Sequence, residues 1–344
     1  MTQPDCIIAG AGIVGLSLAL ELNRRGTSVT VLEAGRSMRQ TSAAAAGTLA
    51  VEDRFNPDAL HPLSLLSAAL YPAYLDRIGE LSGTLVPFQT RATLEECEPG
   101  STAAVPNPAS IVPYFSEHTP PLRLLDELSV DPRQLGDALH AAVLATRIVI
   151  LENTGVHRVH SLQHSVRVES TAGAIEAGTF IDCMGSWSPA PVAPRKGQML
   201  AVMAPAGFDL RTAIRTHAVY VIPRTRGPNA GHLIIGSTME DAGFDLTVHP
   251  QDILTLNARA VRMLPALAEA TFLESWSGLR PYTADTLPIL GRSPAQPRYV
   301  VATGHFRNGI LLAPATAQVI AQLIFNEQPG VDLAPYSPAR FHPQ

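Results

Sequence analysis

Cysteine is scarce in this chain. The three present, Cys6, Cys97 and Cys183, have no metal-like spacing and leave one unpaired. That argues against a disulfide framework and suits a reducing cytoplasm. Excess positive charge is lacking too: 25 lysines and arginines stand against 30 acidic residues, and the basic ones are scattered. A chain so charged carries no electrostatic footprint for nucleic acid. No run of about 18 consecutive apolar residues occurs, so no membrane span is expected. The N-terminus has no basic stretch followed by an apolar segment and a small-residue cleavage site, so no leader is expected. The eleven histidines show neither ligand spacing nor an H-E-x-x-H pattern, and no metal site is expected. With 344 residues, 46% of them hydrophobic, the chain can bury a core as one large domain or two smaller ones. The expectation is a soluble cytoplasmic globular protein.

What is there begins at the N-terminus. "DCIIAGAGIVGLSLALELNRRGTSVTVLEAG" reads as strand, glycine turn, helix and strand. Cys6 to Ala9 form a short apolar run suited to a parallel strand buried on both faces. Gly10, Gly12 and Gly15 form G-x-G-x-x-G. The first allows a tight turn, the second lets backbone approach a pyrophosphate, and the third lets helix pack on strand. The helix opens at Ile13, Gly26 ends it, and "SVTVLE" closes at Glu33, eighteen residues after Gly15. A carboxylate there accepts hydrogen bonds from an adenosine ribose, favouring FAD or NAD over NADP. In "RSMRQTSAAAAGTLA", small residues from Ser42 to Gly47 let backbone pass close to a large flat group; the bland alternative is an alanine-rich linker.

Residues 56 to 130 are proline-rich. "LHPLSLLSAALYPAYLDRI" predicts a helix interrupted at Pro72, and "EPGSTAAVPNPAS" a loop. "DPRQLGDALHAAVLAT" restarts a helix at Asp131, with Pro132 at its first turn. Strand-like stretches follow, Val156 at the edge of one, and "TFIDCMGSWS" predicts a further parallel strand running into Gly185 toward a cofactor. "HAVYVIPR", "GHLIIGSTMED" and a helix over 251 to 268 make a strand-rich section with one helix. Tyr220 follows the strand alternation, for which a half-buried structural tyrosine is the plain explanation.

Near the C-terminus, "ESWSGLRPYTADTLPILGRSP" sets Arg280 between an expected glycine turn and Pro281. "RYVVATGHFRNGILLAPATAQVIAQLIF" reads as a strand over 299 to 302, a turn from Gly304 to Gly309, and a helix through Ile324 with Pro314 near its start. Such a unit aims backbone N–H groups and a positive helix end at a ligand. A reduced flavin carries matching negative charge around N1 and the C2 carbonyl.

In "AGAGIVG", "TSAAAAGTLA", "YVIPR", "GSTM", "SGLRPYTADTLPILGR" and "TGHFRNGILLAPATA" the chain resembles the FAD-dependent amine oxidoreductases of the D-amino acid oxidase type, and within them the glycine oxidase branch. The resemblance runs over nearly the whole chain. It implies an α/β fold in which a Rossmann-type FAD-binding domain (1–55, 131–195 and 275–344) interleaves with an antiparallel-sheet α+β substrate domain (56–130 and 196–274). It gives Ile13, Val14, Glu33 and Ala34 to the adenosine and pyrophosphate half of FAD, beside Gly10, Gly12 and Gly15. Thr41, Ser42, Ala46, Gly47 and Thr48 match the loop beside the isoalloxazine ring, and Val156 a contact to the adenine end. His305, Phe306, Arg307, Asn308, Gly309, Ile310 and Leu311 match the loop over the flavin's pyrimidine side. Arg280 matches the arginine that takes the substrate carboxylate. Tyr220 and Arg307 match residues lining the substrate cavity, and Met239 its apolar wall. Thr48 stands where relatives often carry methionine, and Ala218 replaces a histidine of some relatives, both changing the expected pocket. No cysteine lies near Arg280, so the FAD is expected to be noncovalent.

The implied reaction is oxidative deamination of glycine or another small amino acid. Arginine supplies planar bidentate recognition of a carboxylate. That clamp aims the Cα–H at flavin N5 for hydride transfer. The imine is hydrolysed to a 2-oxo acid and ammonia, and O2 is reduced to H2O2. The same resemblance implies a place in making the thiazole of thiamine, and the assembly expected is a homo-oligomer. Two alternatives stand beside it: a D-amino acid oxidase or dehydrogenase using another electron acceptor, and a flavin-binding protein without turnover.

Overall fold

The run Cys6–Ala9 is buried at all four positions, and alternation sends its side chains to opposite faces. In the computed structural model, which describes residues 3–341, it is a central strand of a six-stranded sheet. Val29–Leu32 lies on one side of it and Thr179–Asp182 on the other, both parallel, with Ala9 in register with Leu32 and Asp182. Val149–Leu151 extends the sheet at one edge. Tyr299–Thr303 and the antiparallel Ile289–Arg292 extend it at the other. Ile8 points into a helical layer made by Ile13–Arg24, His61–Ser82, Pro132–Leu144 and Gly309–Ile324. Ile7 and Ala9 point the other way, into a three-stranded meander over Val156–Ala177 that covers the second face.

The second sheet has seven strands, in the spatial order Thr271–Tyr282, Ala193–Met203, His232–Gly236, Tyr220–Pro223, Ala213–Arg215, Thr93–Glu96 and Leu122–Leu125. All pairs are antiparallel except Ala213–Arg215 with Thr93–Glu96. One face packs Leu200, Val202, Leu233 and Ile235 against the helix Pro250–Met263. The opposite face, with Ala201, Ile222, Ile234 and Tyr220, turns toward Ala46 and the first sheet. The two longest strands, Ala193–Met203 and Thr271–Tyr282, run across the expected boundaries at 195/196 and 274/275.

Three local expectations are corrected. Gly278 and Arg280 are not at a turn; both lie inside the strand Thr271–Tyr282, where a Cβ on Gly278 would press on Ala44 at 2.6 Å. The glycine serves close approach between the sheets. Pro72 does not interrupt its helix, which runs unbroken from His61 to Ser82. Leu63, Tyr71, Leu75 and Ile78 on its buried face pack into the main core, and that burial outweighs the missing N–H. The proline-rich stretch also holds two strands, Thr93–Glu96 and Leu122–Leu125, that no alternation announced.

The helix at Pro132 starts as expected: the Asp131 carboxylate accepts from the amides of Arg133 and Gln134. In Gly309–Ile324, Pro314 lacks the N–H that would bond the Ile310 carbonyl. The Tyr71 hydroxyl donates to that carbonyl instead, at 2.7 Å, and the Ser67 hydroxyl donates to Leu311 O at 2.5 Å. The proline helix thereby fixes a second helix at the N-terminus that faces the site.

Candidate active site

One cavity of about 800 Å³ lies between the sheets, within the size range of cofactor and small-molecule sites. Its first end is built from backbone. Gly10 leaves the central strand with φ +100°, which L side chains rarely adopt. Gly15, in the first turn of the helix, lies so close to the Gly10 carbonyl that a Cβ there has no room. Gly12 faces the cavity, and a Cβ there would meet only the Ser42 hydroxyl, at 3.3 Å. The helix that begins at Ile13 has no acidic residue in its first turn. Its Ile13 amide donates to Ser42 Oγ at 3.0 Å. Glu33 is aimed by two backbone donors: Ala11 N–H to Oε2 at 2.7 Å and Gly35 N–H to Oε1 at 2.9 Å.

The middle of the cavity passes the Thr41–Thr48 segment, expected as a loop but opening with one helical turn over Thr41–Ala44, and the turn after Tyr299–Thr303. The Thr41 hydroxyl donates to Leu279 O at 2.6 Å, and Arg224 Nη2 donates to Ala46 O at 2.9 Å, so the seven-stranded sheet holds this segment at two points. Burial pushes the His305 imidazole down to about 4, which keeps the ring neutral, and its Nε2 sits 3.0 Å from Thr316 Oγ1.

The other end is built from side chains. Arg280 is half-buried and opens onto the cavity. Its Nη2 donates to Ser237 Oγ at 2.8 Å, and its Nη1 to Lys196 O at 3.2 Å and Thr238 O at 3.3 Å. Met239 Sδ lies 3.8 Å from Nη1. A Cβ on Gly197 would collide with the guanidinium, so only glycine lets Arg280 lie across that strand. Burial, reinforced by the positive charge of Arg307, pulls the Arg280 pKa below its ordinary value, and Tyr220 and the more distant Glu240 carboxylate oppose this. Burial raises the Tyr220 phenol. Two more guanidiniums line the cavity, and both have carboxylates. Arg215 is clasped by Glu95 at 2.8 Å and Glu127 at 3.0 Å, and Arg307 lies 3.2 Å from Asp53. Among the described residues Arg280 has no carboxylate within 4.0 Å.

Every residue expected at the cofactor lines this cavity except Gly15 and Leu311. Gly15 packs helix on strand, and the Leu311 side chain goes into the core, where it is 1% exposed. Arg280, Tyr220, Arg307 and Met239 all line the cavity, though Met239 is 53% exposed and stands at its mouth rather than forming an enclosed wall. Nothing in the sequence singled out Asp53, Phe55 or Arg215, which also line this end, and Ser237 went without a role inside the quoted "GSTM". Their partners lie far along the chain, as Asp53 and Arg307 do, so no local pattern marks them. Trp187 was within reach of sequence reading, because "TFIDCMGSWS" carries its strand into the cavity wall. Among the described residues no group of three or more metal-ligating side chains occurs, and no helix is long and apolar enough to cross a membrane.

A family model described as FAD dependent oxidoreductase (DAO) matches residues 5–323. Glycine oxidase of Pseudomonas aeruginosa is 30% identical over 97% of this chain and 98% of its own length. The bifunctional protein ThiO/ThiG of a Synechocystis strain is 31% identical over 99% of this chain but 54% of its own length. The chain spans about half the length of the bifunctional relatives it matches. Among solved structures, glycine oxidase from Geobacillus kaustophilus superposes with a TM-score of 0.92, at 28% identity and over 99% of both chains.

Proposed function

We propose, from the premise that this chain belongs to the FAD-dependent oxidoreductase (DAO) family, that it oxidatively deaminates glycine or another small amino acid. One observation carries the reading. Arg280 is the cavity guanidinium that neutral acceptors hold and no carboxylate neutralises. A half-buried, uncompensated cation favours an anion, and a planar fork favours a carboxylate.

The cavity fits FAD on its own terms. The Gly10–Gly12 turn and the helix start at Ile13, whose N-cap Gly12 brings no side chain, suit a pyrophosphate. Glu33, fixed by two amides, keeps lone pairs for ribose hydroxyls. The segment Thr41–Thr48 and the turn His305–Ile310 line the wall between Glu33 and Arg280. When bound, the flavin supplies the acceptor for the Cα hydrogen and its electron pair. Arg280 holds the substrate carboxylate, and the Tyr220 hydroxyl, on the same sheet face, adds a donor beside it. The neutral imidazole of His305, buried against Thr316, takes no proton at neutral pH. The resulting imine meets water and gives a 2-oxo acid and ammonia, glyoxylate in the case of glycine.

The same reading takes O2 as electron acceptor, the cytoplasm as compartment and a homo-oligomer as the assembly. Three free, buried cysteines support the reducing compartment. Similarity to proteins named ThiO/ThiG supports a role in making the thiazole of thiamine. Anaerobic mixing of the holoprotein with glycine, sarcosine, D-alanine and D-proline tests the reading. Glycine should bleach the flavin's visible band and air should restore it. Bleaching by larger D-amino acids alone would move the substrate, and no bleaching by any would sink the proposal.

A further inference from the structure

The substrate end of the cavity is a charge cluster with a definite balance. Arg123, Arg215 and Arg307 face Glu95, Glu127 and Asp53, and these three cations and three anions pair off. Arg280 adds one positive charge that, among the described residues, has no carboxylate within 4.0 Å, Glu240 acting on it only from farther off. A single excess charge matches a ligand bearing one carboxylate.

The Asp53–Arg307 pair is built rather than incidental. Asp53 Oδ1 accepts from the Phe55 amide at 2.9 Å, which turns the other oxygen toward Arg307. The Asp53 carbonyl accepts from the Asn56 amide at 2.9 Å. The Asn56 and Asn308 side chains then bond reciprocally, at 2.9 and 3.3 Å. The neighbours of Asp53 and of Arg307 are thus latched together, and the pair is held between them. The Asp53 side chain is 7% exposed and that of Arg307 25%, so solvent screens the pair weakly. The Arg307 guanidinium also lies 5.6 Å from the centres of the Phe55 and Phe306 rings.

We infer that Asp53 determines specificity in this site. By neutralising Arg307 it leaves Arg280 as the only anion acceptor, so the site takes amino acids with one carboxylate and rejects those carrying a second. Without that negative charge, Arg307 becomes a second carboxylate site beside Arg280. This rests on the reading of Arg280 as the carboxylate site. It assigns Asp53 no contact with the substrate's amine.

The test is titration of holoprotein with acetate and with malonate, followed by the flavin's visible spectrum. Neither anion has an amine, so any role of Asp53 toward an ammonium drops out. In the wild type acetate perturbs the spectrum and malonate binds no better. Asp53→Asn should tighten malonate relative to acetate by about tenfold, and the gain should vanish in Asp53→Asn/Arg307→Met. An unchanged malonate-to-acetate ratio in Asp53→Asn overturns the inference, as does a gain that survives loss of Arg307. If Asp53→Asn does not fold, Arg307→Met alone decides. It leaves Asp53 uncompensated and should weaken acetate about tenfold, whereas unchanged acetate affinity overturns the inference. Acetate binding with unmoved selectivity sinks the Asp53 role alone. If neither anion perturbs the wild-type flavin, the Arg280 reading falls with it.

Discussion

The two ends of the cavity are made by different means. Around Gly10 and Glu33 the surface is largely backbone, most of it from the strand–turn–helix–strand unit of residues 6 to 35, with 154–156 and 183–185 closing it. Around Arg280 it is charged side chains drawn from the 53–55 loop, two strands of the seven-stranded sheet, the segment after Gly236, and the turn at Arg307. Backbone geometry is local and tolerates almost no added atoms. Charge balance is assembled across the chain and is adjustable. A substitution at the first end should therefore act on folding and cofactor retention, and one at the second on which ligand binds.

The largest effect expected is from Gly15→Val. Its Cβ alone collides with the Gly10 carbonyl, which belongs to a turn with no room to move. The cost should be about 3 kcal/mol or more, seen as a lower thermal midpoint and protein purified without flavin. A flavinated variant with wild-type stability would show that helix and strand do not need this contact. At the other end, Arg280→Met should leave flavin content and stability nearly unchanged while kcat/KM for a carboxylate substrate falls about a thousandfold, the loss of about 4 kcal/mol typical of a buried charge partner. Parallel loss of flavin in both variants would erase the distinction between the ends.

How much of this was legible in sequence follows the same division. The strand at Cys6–Ala9, the helix from Ile13, the acid at Glu33 and the strand–turn–helix from Tyr299 were readable because each signal sits within a few residues of its consequence. Tyr220 and Arg280 came by resemblance, and the structure puts both on one face of one sheet. Asp53 and Arg215 were invisible, because their meaning depends on Arg307, Glu95 and Glu127, far away in the chain. Pro72 misled for a related reason. A proline rule describes a helix in water, and this helix buries a face against the core.

Where the two ends meet, His305 gives a pH test of the wall between them. Burial holds its pKa at about 4, below the roughly 6.5 of an exposed imidazole. The unfolded chain therefore binds the proton first. Stability from this residue is complete above about pH 6.5 and is lost as pH falls toward 4, by about 3 kcal/mol in all. His305→Gln should flatten that limb of the thermal midpoint against pH. An equally steep limb in the variant would place the acid sensitivity elsewhere.

The smallest effect should come from Lys196, the chain's one lysine, and it bears on which charge the cavity feels. Lys196 lies in the strand next to Arg280, yet alternation with Gln198 and Leu200 turns it to the sheet face that packs on Pro250–Met263. Its side chain is fully buried, and its Nζ makes no hydrogen bond, standing 3.7 Å from Glu240 and 3.6 Å from Asp245. The segment that carries Ser237 and Met239 is already tied to this strand without it: Lys196 N–H donates to Glu240 O at 3.0 Å and Glu240 N–H to Lys196 O at 2.9 Å. Glu240 and Asp245 are partly exposed, so water can replace the ammonium. Removing one member of an ion pair is costly where it strands the other charge out of water, and here both carboxylates keep solvent and Glu240 also keeps Gln198 and Thr238 as donors. Lys196→Met should therefore shift stability by less than about 1 kcal/mol and acetate affinity by less than about threefold. A tenfold loss of acetate binding would mean that the cavity senses the lysine through the sheet, and that its excess charge is shared between the two faces rather than held by Arg280.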